Sequence, residues 1–233
     1  MNQTMLLDQT ENLVVSLELS QGDGSVAAKL GRGEIFEAAT LQGDRDKDSL
    51  MPALDSVVAR ASGQPQNIKS IFVSVGPGGF TGLRVSIATA KMISFVTQAT
   101  IVPVETSLGV VCADQESVST SLVISAIKKE TCWLSVVKKE PHWCCSGQLI
   151  EVSSLSEFIE SGCVLYGDSF LPEQITNICH TNGVEVRHTK STAASILKVG
   201  LVYLSLNKTV DPENLLPLYP REPEAVRMWK EHH

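Results

Sequence analysis

The chain has 233 residues, 43% of them hydrophobic and 19% charged. This is ordinary globular composition for one large domain or two lobes of about 100–120 residues each. A net charge of -7 speaks against gripping a phosphate backbone unaided, because that needs clustered Lys and Arg, so any nucleic acid would have to be held by a partner. No apolar run approaches ~20 residues and none follows a basic start, so the expectation is a cytoplasmic chain with no membrane span.

In chain order, Met5–Leu7 leads to Asp8, and Leu13–Leu19 alternates with Ser16 and Glu18 as its polar members, which reads as one or two strands. Gln21-Gly22-Asp23-Gly24 marks a turn, and Ser25–Leu30 completes a hairpin before a second turn at Gly31–Gly33. Asp44–Ser49 is charged and loop-like. Leu50, Leu54, Val57, Val58 and Ala61 recur at helical spacing and predict a helix from Leu50 to Ser62, ended by Gly63–Pro65. Ile71–Val75 is a β-branched strand, Gly76–Gly79 a tight loop, Phe80–Val96 a second helix and Ile101–Val104 a strand.

The second half repeats this alternation. Strands are predicted at Leu122–Ile127, Trp133–Val137, Leu149–Val152 and Cys163–Tyr166, and helices at Ser154–Glu160, Leu171–His180 and Thr192–Leu206. The tail from Asp211 to His233 is rich in Pro and charge and reads as an extended strap. Alternating strands and helices favour α/β layering. The division expected is an N-terminal lobe over 1–106, a C-terminal lobe over 107–210 and a strap over 211–233. The six cysteines form no C-x-x-C pair, and the expectation for them is reduced, structural thiols.

The most informative stretch runs from Ile71 to Arg84. A strand enters a loop in which Gly76, Gly78 and Gly79 surround Pro77, and a helix follows at once. Glycine reaches φ > 0 cheaply and admits another backbone or a phosphate, and the free N–H groups of a helix start attract anions. Thr81 is the expected cap of that helix. The loop lacks the Lys of a Walker A loop. It also has Thr81 where the third glycine of a dinucleotide fingerprint belongs, although Glu105 stands about where a ribose-binding acid would. A strand-to-helix corner that binds nothing is the third reading. No two of the five histidines are spaced i, i+4, so no helix presents a paired-imidazole metal site. No G-x-S-x-G elbow is present either.

The second helix is apolar on two faces. Leu83, Ile87, Ala90 and Ser94 follow one, and Val85, Ala88, Met92 and Phe95 the other, with Arg84 and Lys91 on a narrow polar line. A helix apolar beyond one stripe must bury a second face, either inside its lobe or against another chain.

Val75-Gly76-Pro77-Gly78-Gly79-Phe80-Thr81-Gly82-Leu83-Arg84, followed by Ala88-Thr89-Ala90-Lys91, resembles the signature of the TsaB (YeaZ) family, G-P-G-S-F-T-G-L-R-I-G-x-A-x-A-K. Leu7-Asp8-Gln9-Thr10 is similar to that family's L-D-T-S/T. Val104–Leu108, Gly167-Asp168 and Leu216–Arg221 resemble further family segments in the same order. Gly79 replaces a Ser of the pattern, Ser86 a Gly, and Gln9 the hydroxyl residue after Asp8.

The resemblance implies a two-lobed actin-like ATPase (ribonuclease H-like) α/β fold, with mixed sheets flanked by helices. It implies a non-catalytic scaffold that pairs with a TsaD-type catalytic subunit, and with a TsaE-type ATPase, in threonylcarbamoyl modification of tRNA. Such a chain would be a homodimer when alone and would meet tRNA only through the complex. It would carry no metal and require no cofactor, with ATP or ADP expected at most at the joint with the partner. The implied interface comprises Leu54 and Val58 of the first helix and Leu83, Arg84, Ile87, Ala90, Lys91 and Ser94 of the second. Asp8, Gly76, Gly78, Gly79 and Thr81 are the candidates for touching a nucleotide. The alternative is a stand-alone nucleotide-binding enzyme, either a Rossmann-like dehydrogenase or a sugar-kinase-like protein.

Overall fold

The structure is a computed structural model that describes residues 12–40, 49–114, 116, 118–139, 141–221 and 229. Two five-stranded sheets organise it. The first contains β1 (Leu13–Glu18), β2 (Ser25–Leu30), β3 (Phe36–Ala39), β4 (Ile68–Gly76) and β5 (Thr100–Glu105), in the order β3-β2-β1-β4-β5. β2 pairs antiparallel with both β1 and β3, while β4 runs parallel to β1 and to β5. The second contains β6 (Thr120–Lys128), β7 (Thr131–Lys138), β8 (Cys144–Glu151), β9 (Val164–Tyr166) and β10 (Glu185–Arg187), in the order β10-β9-β6-β7-β8. β6–β7 and β7–β8 are antiparallel, and β6–β9 and β9–β10 parallel. Each sheet is thus an antiparallel three-strand meander joined through its first strand to a parallel pair. Neither is a parallel six-stranded sheet, which removes the Rossmann reading of the glycine run.

Helices α1 (Leu50–Arg60) and α2 (Phe80–Thr97) cover one face of the first sheet. Leu13, Val15 and Leu17 of β1 meet Leu54, Val57, Val58, Ile87 and Ala90 in that core. On the other face lie α3 (Thr106–Ala113) and α5 (Ala193–Ser205), where Val14, Phe72 and Val102 pack with Leu108, Ile196 and Leu197. β1 is buried along its whole length because both its faces are covered. Val123, Val137 and Tyr166 of the second sheet join this middle core, so α3 and α5 lie between the sheets. α4 (Glu173–Thr181) and the 3-10 segment Val152–Phe158 cover the far face of the second sheet through Ile175, Cys179 and Leu155.

The strand reading of Met5–Leu7 lies outside the described residues; the other elements predicted from the sequence recur, most of them with ends moved by one to several residues. β3, α3 and β10 were not predicted, and Ser154–Glu160 is 3-10 rather than α-helix. α5 lies in the 107–210 segment yet packs on β1, β2, β4 and β5 of the first sheet. It starts from Thr192 in a reciprocal capping box with Ser195.

Candidate functional site

β4 ends at Gly76, whose φ of +106° is open only to glycine among common residues. The corner that follows is packed against the chain's own backbone. Gly79 N–H donates to the Ser20 carbonyl over 2.7 Å. A Cβ on Gly78 would stand 2.4 Å from that same carbonyl oxygen, and a Cβ on Gly82 would stand 1.8 Å from the carbonyl oxygen of Leu19. A Cβ on Gly76 would stand 2.8 Å from the carbonyl oxygen of Leu218 in the tail. The glycines therefore let the end of β1 and the strap close onto the start of α2. Thr81 does not cap the helix as expected. α2 begins at Phe80, its N-cap is Gly79, and no side chain caps it.

Asp8 lies outside the described residues. The acid at the end of the first described strand is Glu18, within Leu17-Glu18-Leu19-Ser20, and it is 1% exposed. Its Oε1 accepts from the Ser20 N–H and hydroxyl, and its Oε2 from the Ser191 hydroxyl at 2.7 Å. Thr106 donates to Ser20 Oγ at 3.0 Å and lies 2.8 Å from Ser74 Oγ. Burial pushes the Glu18 carboxyl up, against the pull of these hydroxyl and amide donors. The alternation of Leu13–Leu19 marks Glu18 only as a polar member of the strand, and the covering of both faces of β1 is what buries it.

The implied interface residues divide. Leu83, Ile87, Ala90 and Ser94 are buried inside the chain itself, and the Ser94 hydroxyl donates to the Ala99 carbonyl. They form the core face of α2, which corrects their assignment to a surface. Leu54 and Val58 are also buried, yet they floor a groove of about 820 Å³ between α1 and α2. Arg84 is exposed, with its Nε donating to Tyr219 Oη at 3.1 Å, and Lys91 is half-buried.

The surface left open is the other face of α2. Met92 is 69% exposed, Phe95 82% and Val96 79%, with Val85 and Ala88 in line with them and Met51 across the groove. The spacing 85, 88, 92, 95 and 96 makes one stripe along the helix. Isolated apolar residues on a surface are normal, whereas a contiguous stripe beside an apolar groove marks an interaction site.

Two lobes with mixed sheets of one shared strand order, and helices between and outside them, define the actin-like ATPase type of fold. Among solved structures, one described as "an uncharacterized protein with similarity to peptidase YEAZ from Pseudomonas aeruginosa" matches with a TM-score of 0.74 at 15% identity, covering 90% of this chain and 100% of that one. YeaZ from Pseudomonas aeruginosa matches with a TM-score of 0.72 at 14% identity, covering 89% and 99%. The fold is therefore of the YeaZ (TsaB) kind, as the Val75–Lys91 signature implied. Residues 44–142 match the family model for TsaD, tRNA N6-adenosine threonylcarbamoyltransferase, a span that holds α1, the glycine corner and α2. None of the curated proteins matches the chain. Among the described residues, no group of three or more His, Cys, Asp or Glu side chains is placed to hold a metal ion. No described helix is long and apolar enough to cross a membrane.

Proposed function

We propose that this chain is a non-catalytic scaffold that docks a TsaD-type catalytic subunit in the threonylcarbamoyl modification of tRNA. The observation that carries the reading is the apolar stripe of α2 beside the α1–α2 groove, which leaves Met92, Phe95 and Val96 in water on a helix whose opposite face is already buried in the core. Stable interfaces bury roughly 1,200–2,000 Å² in total, a size that two adjacent helices can supply. The YeaZ fold and the TsaD-family match over α1 and α2 support the choice of partner.

In the absence of that partner, a second copy of the chain covers the same stripe, giving a homodimer that must part before the catalytic subunit docks. A TsaE-type ATPase joins the assembly, tRNA is held by other subunits, and ATP or ADP binds at the joint with the partner rather than in this chain alone. The net charge of -7 fits a subunit that leaves tRNA to others.

The test is co-purification of the untagged chain with a TsaD-type subunit from the same cell, together with assay of threonylcarbamoyladenosine in tRNA after the chain is depleted. The proposal expects a stable complex and loss of the modified nucleoside. A chain that forms no such complex, with the modification intact after depletion, would reject it.

A further inference from the structure

The tail after α5 is bonded in turn to both lobes. Val210 bridges antiparallel to Ile101 at the edge of β5, and Leu215 is buried in the core under α1 and α2. Leu218 N–H donates to the Val75 carbonyl over 2.7 Å, and the Leu218 carbonyl lies over Gly76, where no Cβ would fit. The Tyr219 ring stacks on Phe80 at 4.6 Å between centroids, and its hydroxyl accepts from Arg84. Two residues later the chain reaches the second lobe. Arg221 donates to the carbonyls of Ala126 and Thr131 and to the Thr131 hydroxyl, closing over the β6–β7 turn.

Both anchor points adjoin the cleft between the lobes. Pro77 follows Gly76, Ser125 precedes Ala126, and both line that cleft with Gln21, Thr106, Asp168 and Thr189. A strap fixed beside Pro77 on one wall and beside Ser125 on the other spans the cleft at one end. The Arg221 bonds to Ala126 and Thr131, made by an ionised donor, are charge-assisted.

We infer that residues 210–221 form a latch that holds the interlobe cleft shut, with Arg221 as its releasable end. Among the described residues, the connection to lobe two rests on one guanidinium and three oxygens, whereas the connection to lobe one has a buried leucine, a backbone bond and a ring stack. Release therefore starts at Arg221. The latch shares Phe80 and Arg84 with the first turn of α2, so events at that end of the helix are transmitted to the cleft. The inference rests on the strap's contacts and holds whichever partner docks on α2.

The experiment is amide hydrogen exchange, read by mass spectrometry, on the full chain and on Arg221→Ala. Two windows matter: the β6–β7 turn at 126–131, which Arg221 touches, and the cleft walls at 19–24 and 167–172, which it does not. A latch predicts exchange faster by roughly tenfold in both windows, with β1 and β4 unchanged. Leu218→Pro, which removes the donor to Val75, should open the same cleft walls from the other anchor. Faster exchange confined to 126–131 would overturn the inference and make Arg221 a local clasp. No change in either window, or a uniform rise that includes β1 and β4, would overturn it as well.

Discussion

α2 and α4 occupy equivalent places, each following the fourth strand of a meander-plus-parallel-pair sheet, yet they differ in length and in outer surface. α4 has nine residues, and Glu173, Gln174, Thr176, Asn177 and His180 face water while Ile175 and Cys179 face the sheet. α2 has eighteen residues, and its water-facing side carries Val85, Ala88, Met92, Phe95 and Val96. One topology thus produces an ordinary amphipathic crossover helix in the second lobe and a doubly apolar one in the first. The fold requires only the inward face of either helix. The outward face of α2 adds nothing to the core, and it is the surface to which the proposed docking is assigned.

The sharpest way to break this comparison is to put a charge on the inward face. Ala90 is fully buried against the first sheet. Ala90→Glu should cost about 4 kcal/mol or more, because a carboxylate would be buried without a partner. Circular dichroism and thermal melting should show loss of the fold, and the same holds for Ile87→Glu. A folded Ala90→Glu protein would return Ala90 to the surface and undo the assignment of faces.

The outward face should behave in the opposite manner. Met92→Glu should leave the melting temperature within a few degrees of the parent. Self-association should weaken by roughly 30- to 1,000-fold, the factor for losing about 2–4 kcal/mol of interface energy. Light scattering across a concentration series measures it. An unchanged dimer would place the self-contact elsewhere.

Gly82 sharpens the contrast between the start of α2 and its middle. Replacing a helical glycine by alanine ordinarily stabilises by about 1 kcal/mol. Here the new Cβ would meet the Leu19 carbonyl oxygen at 1.8 Å, and backbone cannot swing aside as a side chain can. Gly82→Ala should therefore destabilise by about 2 kcal/mol, as measured by urea unfolding. A stabilised variant would mean that the end of β1 does not close on the corner.

Much of this was legible in the sequence because period and punctuation agree. Leu50–Ser62, Phe80–Val96 and Thr192–Leu206 have helical spacing and clear ends, and the glycine run marks the corner. β3 and β10 escaped because their sides are only partly buried and carry no run of β-branched residues. α3 escaped because it is buried nearly all round, which erases periodicity. For α2 the two apolar faces were visible, but composition does not say which faces inward. Leu83, Ile87 and Ala90 were assigned to the interface, and only the packing of the sheet reverses that. Glu18 was masked by Asp8, a better match to the family pattern ten residues earlier. The strap's hold on the second lobe depends on Arg221 meeting carbonyls 90 and 95 residues away in sequence, which no local pattern encodes.

The smallest expected effect concerns Glu18. Its carboxyl is raised in the folded chain by burial above the ordinary 4.5. The folded state therefore favours the protonated form, and Glu18 removes stability as pH rises from the ordinary value through the raised one. Glu18→Gln cannot ionise, so as pH rises above the ordinary carboxylate value its unfolding free energy, followed by urea unfolding across a pH series, should fall less than the parent's. Parallel curves for the two proteins would mean that Glu18 titrates as it would in water.

The central claim is that the outward face of α2 is the docking surface for a TsaD-type subunit. Isothermal titration of that subunit into the parent chain, Phe95→Glu and Thr176→Glu tests it most directly, since the last places the same charge on the exposed side of α4. The account predicts equal affinity for the parent and Thr176→Glu, and binding of Phe95→Glu weakened at least about 30-fold with its fold intact. Equal affinity for all three would contradict it.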